Sequence, residues 1–258
     1  MTLKFTKYQA TGNDFILIDN REGKIVLSSQ QIVHLCDRKF GIGADGLILI
    51  EPADSASFNV NYYNSDGSQS LCGNGSRAAV SFAASLTLLK DKTTFTAYDG
   101  LHDAELMPSG IVHLRMNDTK NVDTSHEDLF LNTGSPHVIR FVNNVQDYPV
   151  FEEGKKVRYS DTYKPGGTNV NFVELQANNT LFVRTYERGV ENETLSCGTG
   201  VTAAALAAST QGYTSPIKIK TLGGELSVAF KKGAHGDFTD IYLIGPAQRV
   251  FEGEIELP

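Results

Sequence analysis

Two stretches of this chain hold residue types suited to proton transfer, Cys72-Gly73-Asn74-Gly75 and Cys197-Gly198-Thr199-Gly200. Each runs into an Ala-rich segment of helical composition. The first continues through Val80, Phe82, Leu86 and Leu89, the second through Leu206 and Ala208 to a stop at Gly212. Both segments are apolar on nearly every face, which predicts central, buried helices. A cysteine at the mouth of such a helix lies beside unpaired backbone N–H groups and the positive end of the helix dipole. That setting lowers a thiol pKa and attracts carboxylates or phosphates. A cysteine is also a common small core residue, but a core thiol needs no flanking glycines, whose use is close backbone approach. Two such mouths can supply two thiol bases to one anionic substrate.

Other polar side chains gather where strands end. Asn13, Asn64, Asn74 and Asn169 stand in or beside tight loops. Their amides offer donors and acceptors to a zwitterionic ligand, although the same residues also do ordinary turn chemistry. Glu187-Arg188-Gly189 closes the strand that begins at Phe182. These two charges can pair with an amine and a carboxylate of a ligand, or form a solvated surface pair. Their place shortly before Cys197 favours the ligand. His137, after Gly134-Ser135-Pro136, opens a strand and is read as positioning a substrate, tuning a thiol, or filling a structural role. Spacings such as H-E-x-x-H and C-x-x-C are absent, as are the G-x-S-x-G elbow and the P-loop, so no metal is expected.

The elements that must hold these residues are mostly strands. Residues 3–7 and 14–19 read as two strands, with Gly12-Asn13-Asp14 a polar loop at a strand end. Ser28 or Ser29 caps a helix that runs to Lys39 and carries Cys36 as packing. Gly41-Ile42-Gly43-Ala44-Asp45-Gly46 has dinucleotide-site spacing but follows a helix and opens a strand, the reverse of that motif. The second half repeats this style, with strands at 137–142, 169–175, 181–186, 217–222, 225–230 and 239–244. Strand-rich halves with one main helix each predict an α+β fold. The expected lobes are 1–119 carrying Cys72, joined by a returning strand at about 248–258, and 120–247 carrying Cys197, with the polar residues 117–121 as linker.

With 258 residues and 40% hydrophobic content, the chain can build one large or two modest cores. A net charge of −7 argues against a general nucleic-acid binder. No apolar run is long enough to span a membrane. Three cysteines are too few for a disulfide scaffold, and the first residues carry no h-region, so reduced thiols in the cytoplasm are expected.

Taken jointly, several motifs resemble the diaminopimelate epimerase family. They are Gly12-Asn13-Asp14-Phe15, Asn64-Ser65-Asp66-Gly67-Ser68 leading to Cys72-Gly73-Asn74-Gly75-Ser76-Arg77, and Gly134-Ser135-Pro136-His137. Asn169-Val170-Asn171-Phe172 and Glu187-Arg188-Gly189 leading to Cys197-Gly198-Thr199-Gly200 complete the set, in family order over nearly the whole chain. The resemblance implies two similar lobes, each a central helix wrapped by a mixed, largely antiparallel sheet, with a cleft between them and usually a homodimer. It implies interconversion of LL- and meso-diaminopimelate without pyridoxal phosphate or metal. Cys72 and Cys197 match the two bases, and the amides at Gly73-Asn74 and Gly198-Thr199 match the holders of the α-carboxylate. Asn13 and Glu187 match residues near the reacting end; Asn64, Asn169 and Arg188 match those gripping the distal amino-acid end. His137 and Ser135 are supporting candidates. The chain departs from the family in having Ser135 where Asn is common, one residue more between Arg188 and Cys197, and no side chain at Gly46.

Three rival readings remain. A racemase of another amino acid, of the histidine or proline type, would share the fold; Asn64, Asn169 and Arg188 favour a substrate with a distal amino-acid group. An isomerase of the phenazine-biosynthesis type, or a protein that only binds amino acids, would not need two thiols. A thiol redox protein would more usually carry C-x-x-C.

Overall fold

The computed structural model describes residues 2–257. It divides into two compact units: the chain up to Leu114 together with the segment from Gly245 on, and Arg115–Ile244. The first unit holds strands β1 (Thr2–Ala10), β2 (Asn13–Asp19), β3 (Gly46–Glu51), β4 (Phe58–Asn64), β5 (Lys92–Ala97), β6 (Gly100–Leu106) and β7 (Ile111–Arg115). Its helices are α1 (Ser29–Cys36) and α2 (Gly73–Ser85). The second unit holds β8 (Leu129–Asn132), β9 (Pro136–Phe141), α3 (Val150–Arg158), β10 (Asn169–Gln176), β11 (Thr180–Glu187) and β12 (Asn192–Thr194). It continues with α4 (Gly198–Ala208), β13 (Ile217–Thr221), β14 (Gly224–Lys232) and β15 (Phe238–Pro246). The last strand, β16 (Gln248–Glu256), returns to the first unit and pairs antiparallel with β1.

The two units share one topology. In the first, β1 to β7 lie in chain order, with β2–β3 and β4–β5 parallel and the other pairs antiparallel. In the second, β8-β9-β10-β11-β13-β14-β15 repeats that pattern, with β9–β10 and β11–β13 parallel. A parallel pair needs a crossover. Helices α1 and α3 occupy the first crossover of each unit, α2 and α4 the second. The cysteine-led helices are therefore equivalent elements of a repeated α+β unit, although little beyond Cys-Gly-x-Gly survives in sequence.

Each sheet wraps its second-crossover helix. Helix α2 packs on β1, β2, β3, β4, β6 and β16; α4 packs on β8, β9, β10, β11, β13 and β14. This explains the all-round apolar character of both helices, and all but one residue of α4 is buried. The strands beneath are covered on both faces, so β2 and β3 read as continuous apolar runs rather than alternating ones. Ile16, Ile18, Leu47 and Leu49 face Ile32, Leu35 and Cys36 of α1, while Phe15 and Ile48 face the start of α2. In the second unit Val138, Val170 and Phe172 form the core with Val150 and Val157 of α3. Strand alternation turns His137, Asn169 and Asn171 to the other face, where α4 lies.

Several local expectations are corrected. Gly12-Asn13-Asp14 is no loop: Thr11 and Gly12, both at positive φ, form a two-residue hairpin turn and Asn13 already pairs with Ala10. Helix α1 stops at Cys36 rather than Lys39, and α2 stops at Ser85 rather than Leu89. Residues 117–121 belong to the second unit, where Thr119 pairs with Phe238 through both backbone bonds. The glycine-rich loop 41–46 is a packing device. A Cβ at Gly41 would stand 1.9 Å from the His34 carbonyl oxygen, and one at Gly46 2.5 Å from the Tyr62 ring. Lys7 donates to the Gly43 carbonyl and Arg38 pairs with Asp45 at 2.7 Å, while both also pair with Asp14, which ties the loop to β1 and β2. Burial opposes charge on Asp14, but hydrogen bonds from Arg38 and Lys7 prevail and hold its pKa at about 2. Cys36 is buried and its thiol is pushed up to about 12 by that burial, as suits packing.

Ser28 and Gln31 form a reciprocal capping box at the start of α1. Ser28→Ala is expected to lower unfolding free energy by about 1 kcal/mol without changing the urea m-value, measured by denaturant titration.

Candidate active site

Cys72 is the N-cap residue of α2, in extended conformation, and its sulfur accepts the Gly75 N–H at 3.3 Å. The first intrahelical bond is Ser76 N–H to the Cys72 carbonyl, so the N–H groups of the first turn lie before the ladder begins. Gly75 is closely surrounded: a Cβ there would come into contact, at 3.4 Å, with Cys72 Cβ, Phe15 and Ile48. Beneath this mouth lies Arg77, with no exposed surface. Its Nη2 donates to Thr11 Oγ1 (3.3 Å) and Asn74 Oδ1 (3.0 Å), which fastens the β1–β2 turn to the helix start. Burial lowers the Arg77 pKa to about 10, and the Cys72 charge partly offsets that, so the guanidinium stays charged at neutral pH. Immediately after that turn, the Asn13 side-chain oxygen is buried without a partner among the described residues. A buried amide acceptor lacking a partner is costly, and a ligand ammonium would satisfy it.

Cys197 caps α4 in the same extended conformation but is held differently. Its sulfur makes no cap bond to the helix amides and lies 3.5 Å from Thr199 Oγ1. Thr199 Oγ1 in turn stands 2.9 Å from His137 Nε2, and Thr133 donates to the Thr199 carbonyl at 2.9 Å. His137 is fully buried; burial, with the Arg188 charge a lesser cause, pushes its pKa down to about 3, so the ring is neutral. A Cβ at Gly200 would meet Asn171 Oδ1 at 2.5 Å.

Asn169 organises the remainder. Its Nδ2 donates to Ser135 Oγ and the Pro136 carbonyl, both at 2.9 Å, and its Oδ1 accepts the Arg188 N–H at 2.9 Å. Arg188 is exposed, with Nη1 donating to the Gly166 carbonyl at 3.3 Å. Glu187 is half-buried at the end of β11 and accepts from Thr194 at 2.8 Å. Hydrogen bonds thus link Cys197, Thr199 and His137, and separately Ser135, Asn169 and Arg188, at adjacent ends of β9 and β10, where His137 and Asn169 pair.

A family model described as diaminopimelate epimerase matches residues 5–120 and 129–250. The chain belongs to the diaminopimelate epimerase family. A diaminopimelate epimerase of Flavobacterium psychrophilum is 49% identical over 98% of this chain and all of its own length. One of Chlorobaculum tepidum is 42% identical over 95% of this chain and 98% of its own. Among solved structures, a phenazine biosynthesis protein of the PhzF family from Bacillus anthracis shares the fold, with a TM-score of 0.79 at 14% identity and full coverage of both chains. A probable proline racemase from Agrobacterium radiobacter, with bound carbonate, gives 0.71 at 13% over 99% of this chain and 93% of its own.

On this diaminopimelate epimerase-family scaffold Asn64 is the last residue of β4. Its amide is occupied with the 64–70 turn, donating to Ser68 Oγ (3.0 Å) and Ser70 Oγ (3.1 Å) and accepting from Tyr62 (3.0 Å). Two residues escaped the sequence reading. Arg77 follows the cysteine motif with no separate signal. Asn171 shares a strand face with Asn169, and an asparagine within a fully buried strand run was the available sign.

Proposed function

We propose that this protein interconverts LL- and meso-2,6-diaminopimelate by proton transfer between two thiols, Cys72 and Cys197. The observation that carries the reading is that both cysteines cap equivalent helices in a repeated topology, each at an extended N-cap residue. One cysteine, as thiolate, takes the α-proton and becomes a thiol, leaving a carbanion at the α-carbon. The other, as thiol, gives its proton to the opposite face and becomes the thiolate, so the centre inverts and the ionisation states are exchanged. The amides at Gly73-Asn74 and Gly198-Thr199 hold the α-carboxylate and stabilise the charge it takes up from the carbanion. Asn13, with its buried acceptor, and Glu187 receive the ammonium near the reacting carbon. Asn64, Asn169 and Arg188 grip the distal end, with Ser135 and His137 in support.

The reading includes a homodimer in the cytoplasm, acting in the supply of lysine and cell-wall precursors. Among the described residues no helix is long and apolar enough to cross a membrane.

Proton NMR of LL-diaminopimelate in D₂O with reduced protein tests the reaction. Loss of the α-proton signal together with appearance of the meso isomer is expected. A complete absence of α-proton loss would sink the proposal, and the same assay on histidine and proline would then test the racemase reading.

A further inference from the structure

We infer that Asn171 is a positioning residue for Cys197. Acting through His137 and Thr199, it fixes the proton on each atom so that the Thr199 hydroxyl donates to the Cys197 sulfur. The inference rests on the reading of Cys197 as a base and names what tunes it.

The assignment starts from an atom with no choice. Asn171 Nδ2 lies 2.9 Å from the Val138 carbonyl oxygen, which only accepts, so that end of the amide is the NH₂ group. The other end, Oδ1, accepts the Thr185 hydroxyl at 2.9 Å. The same NH₂ group lies 3.1 Å from His137 Nδ1, which must therefore present its lone pair. A neutral imidazole carries one N–H, here on Nε2. Nε2 is 2.9 Å from Thr199 Oγ1 and donates to it. The single hydroxyl hydrogen of Thr199 then points away from the ring, and the Cys197 sulfur is 3.5 Å from the oxygen.

A donor aimed at the sulfur favours its thiolate. Were the histidine proton on Nδ1, every step would reverse. Nε2 would take the Thr199 hydrogen, and the cysteine could then only donate, which favours the thiol. The contact of Asn171 with the first turn of α4 depends on Gly200, since a Cβ there would displace Oδ1. At Cys72 the sulfur accepts a backbone N–H, that of Gly75.

Two substitutions in the full-length protein test this. Asn171→Asp places an acceptor beside Nδ1 and should move the proton there. Thr199→Val keeps shape and backbone N–H but deletes the hydroxyl. The readouts are nitrogen NMR of the His137 tautomer and the pH profile of iodoacetamide alkylation at Cys197, resolved by peptide mass spectrometry. The native protein should show the Nε2–H tautomer and Asn171→Asp the Nδ1–H form. In each variant the Cys197 alkylation midpoint should rise by about one pH unit. The double variant should shift no further than either single one, and the Cys72 profile should stay put. An Nδ1–H tautomer in the native protein, an unmoved midpoint in Thr199→Val, or additive shifts in the double variant would overturn the inference. Should Asn171→Asp not fold, the native tautomer and Thr199→Val still decide it. α-Proton exchange by the native protein reports separately on the epimerase reading.

Discussion

In Cys72→Ala and in Cys197→Ala, epimerisation is expected to fall by about 10³-fold or more in kcat/KM, while α-proton exchange survives for one configuration in each variant. Inversion needs a base on one face of the α-carbon and an acid on the other, and positioned acid–base groups contribute about 10²–10⁴-fold each. With one thiol gone, the survivor can still remove the proton that faces it and return a deuteron from solvent to that same face. The product is labelled but not inverted. The two variants should therefore exchange opposite α-configurations, read by NMR of LL- and meso-diaminopimelate in D₂O. If both variants washed out the same configuration, the two cysteines would not be acting from opposite faces, and the two-base mechanism would fail. Retained epimerisation in either variant would remove that cysteine from the mechanism altogether.

The two helix mouths are not chemically alike, although the repeated topology makes them structurally equivalent. Position 74 is asparagine and position 199 is threonine. Asn74 accepts from a buried guanidinium, whereas Thr199 links a neutral imidazole to the sulfur. Cys72 is half-buried and Cys197 buried. An enzyme that alternates thiol and thiolate between two sites needs each charge state to be reachable at both. A cation at one mouth and a hydroxyl donor at the other are two ways to meet that need.

How much of this was legible follows from where each signal resides. The cysteine motifs could be read because helix capping is local: an N-cap residue, two glycines and an apolar run lie within one stretch of chain. The end of α2 could not. Thr87 N–H bonds the Ala84 carbonyl and Leu88 N–H the Ala83 carbonyl, with Thr87 at φ 61°. That is the geometry glycine usually marks, but a β-branched residue fills it, so the run to Leu89 looked helical. The Thr11-Gly12 turn was missed for the same reason, since threonine at positive φ replaces the expected asparagine. Helix α3, with Gly154 in its middle, and the four-residue β8 carry too little pattern to be seen alone. Gly154 itself answers to a tertiary neighbour, because a Cβ there would stand 2.3 Å from Tyr186. The loop setting of Asn169 marks it as a ligand residue. Its observed bonds to Ser135 and Arg188 span long stretches of sequence that no local pattern reports.

Arg77→Met is expected to cost activity without costing stability. The guanidinium has no exposed surface, and among the described residues its Nε has no hydrogen-bond partner and no carboxylate pairs with it. Burial lowers its pKa to about 10, a displacement worth on the order of 3 kcal/mol against folding. The sign follows from the group being a cation. A depressed folded-state pKa means that the penalty is carried in full below about 10, falls as pH rises past that value and the buried group loses its proton, and is gone once the unfolded-state group has also deprotonated. Methionine keeps an apolar stem and removes the buried charge, so the penalty disappears while most of the packing remains. The melting temperature should therefore stay level or rise. What the cation gives in return is a positive charge beneath Cys72, whose own charge acts on Arg77 in turn. Without it the Cys72 alkylation profile should move to higher pH, and kcat/KM at neutral pH should drop about tenfold or more. The Cys197 profile should not move. A variant that melts several degrees lower and keeps full activity would show instead that Arg77 only holds Thr11 against the helix, as a structural strut between the hairpin and α2.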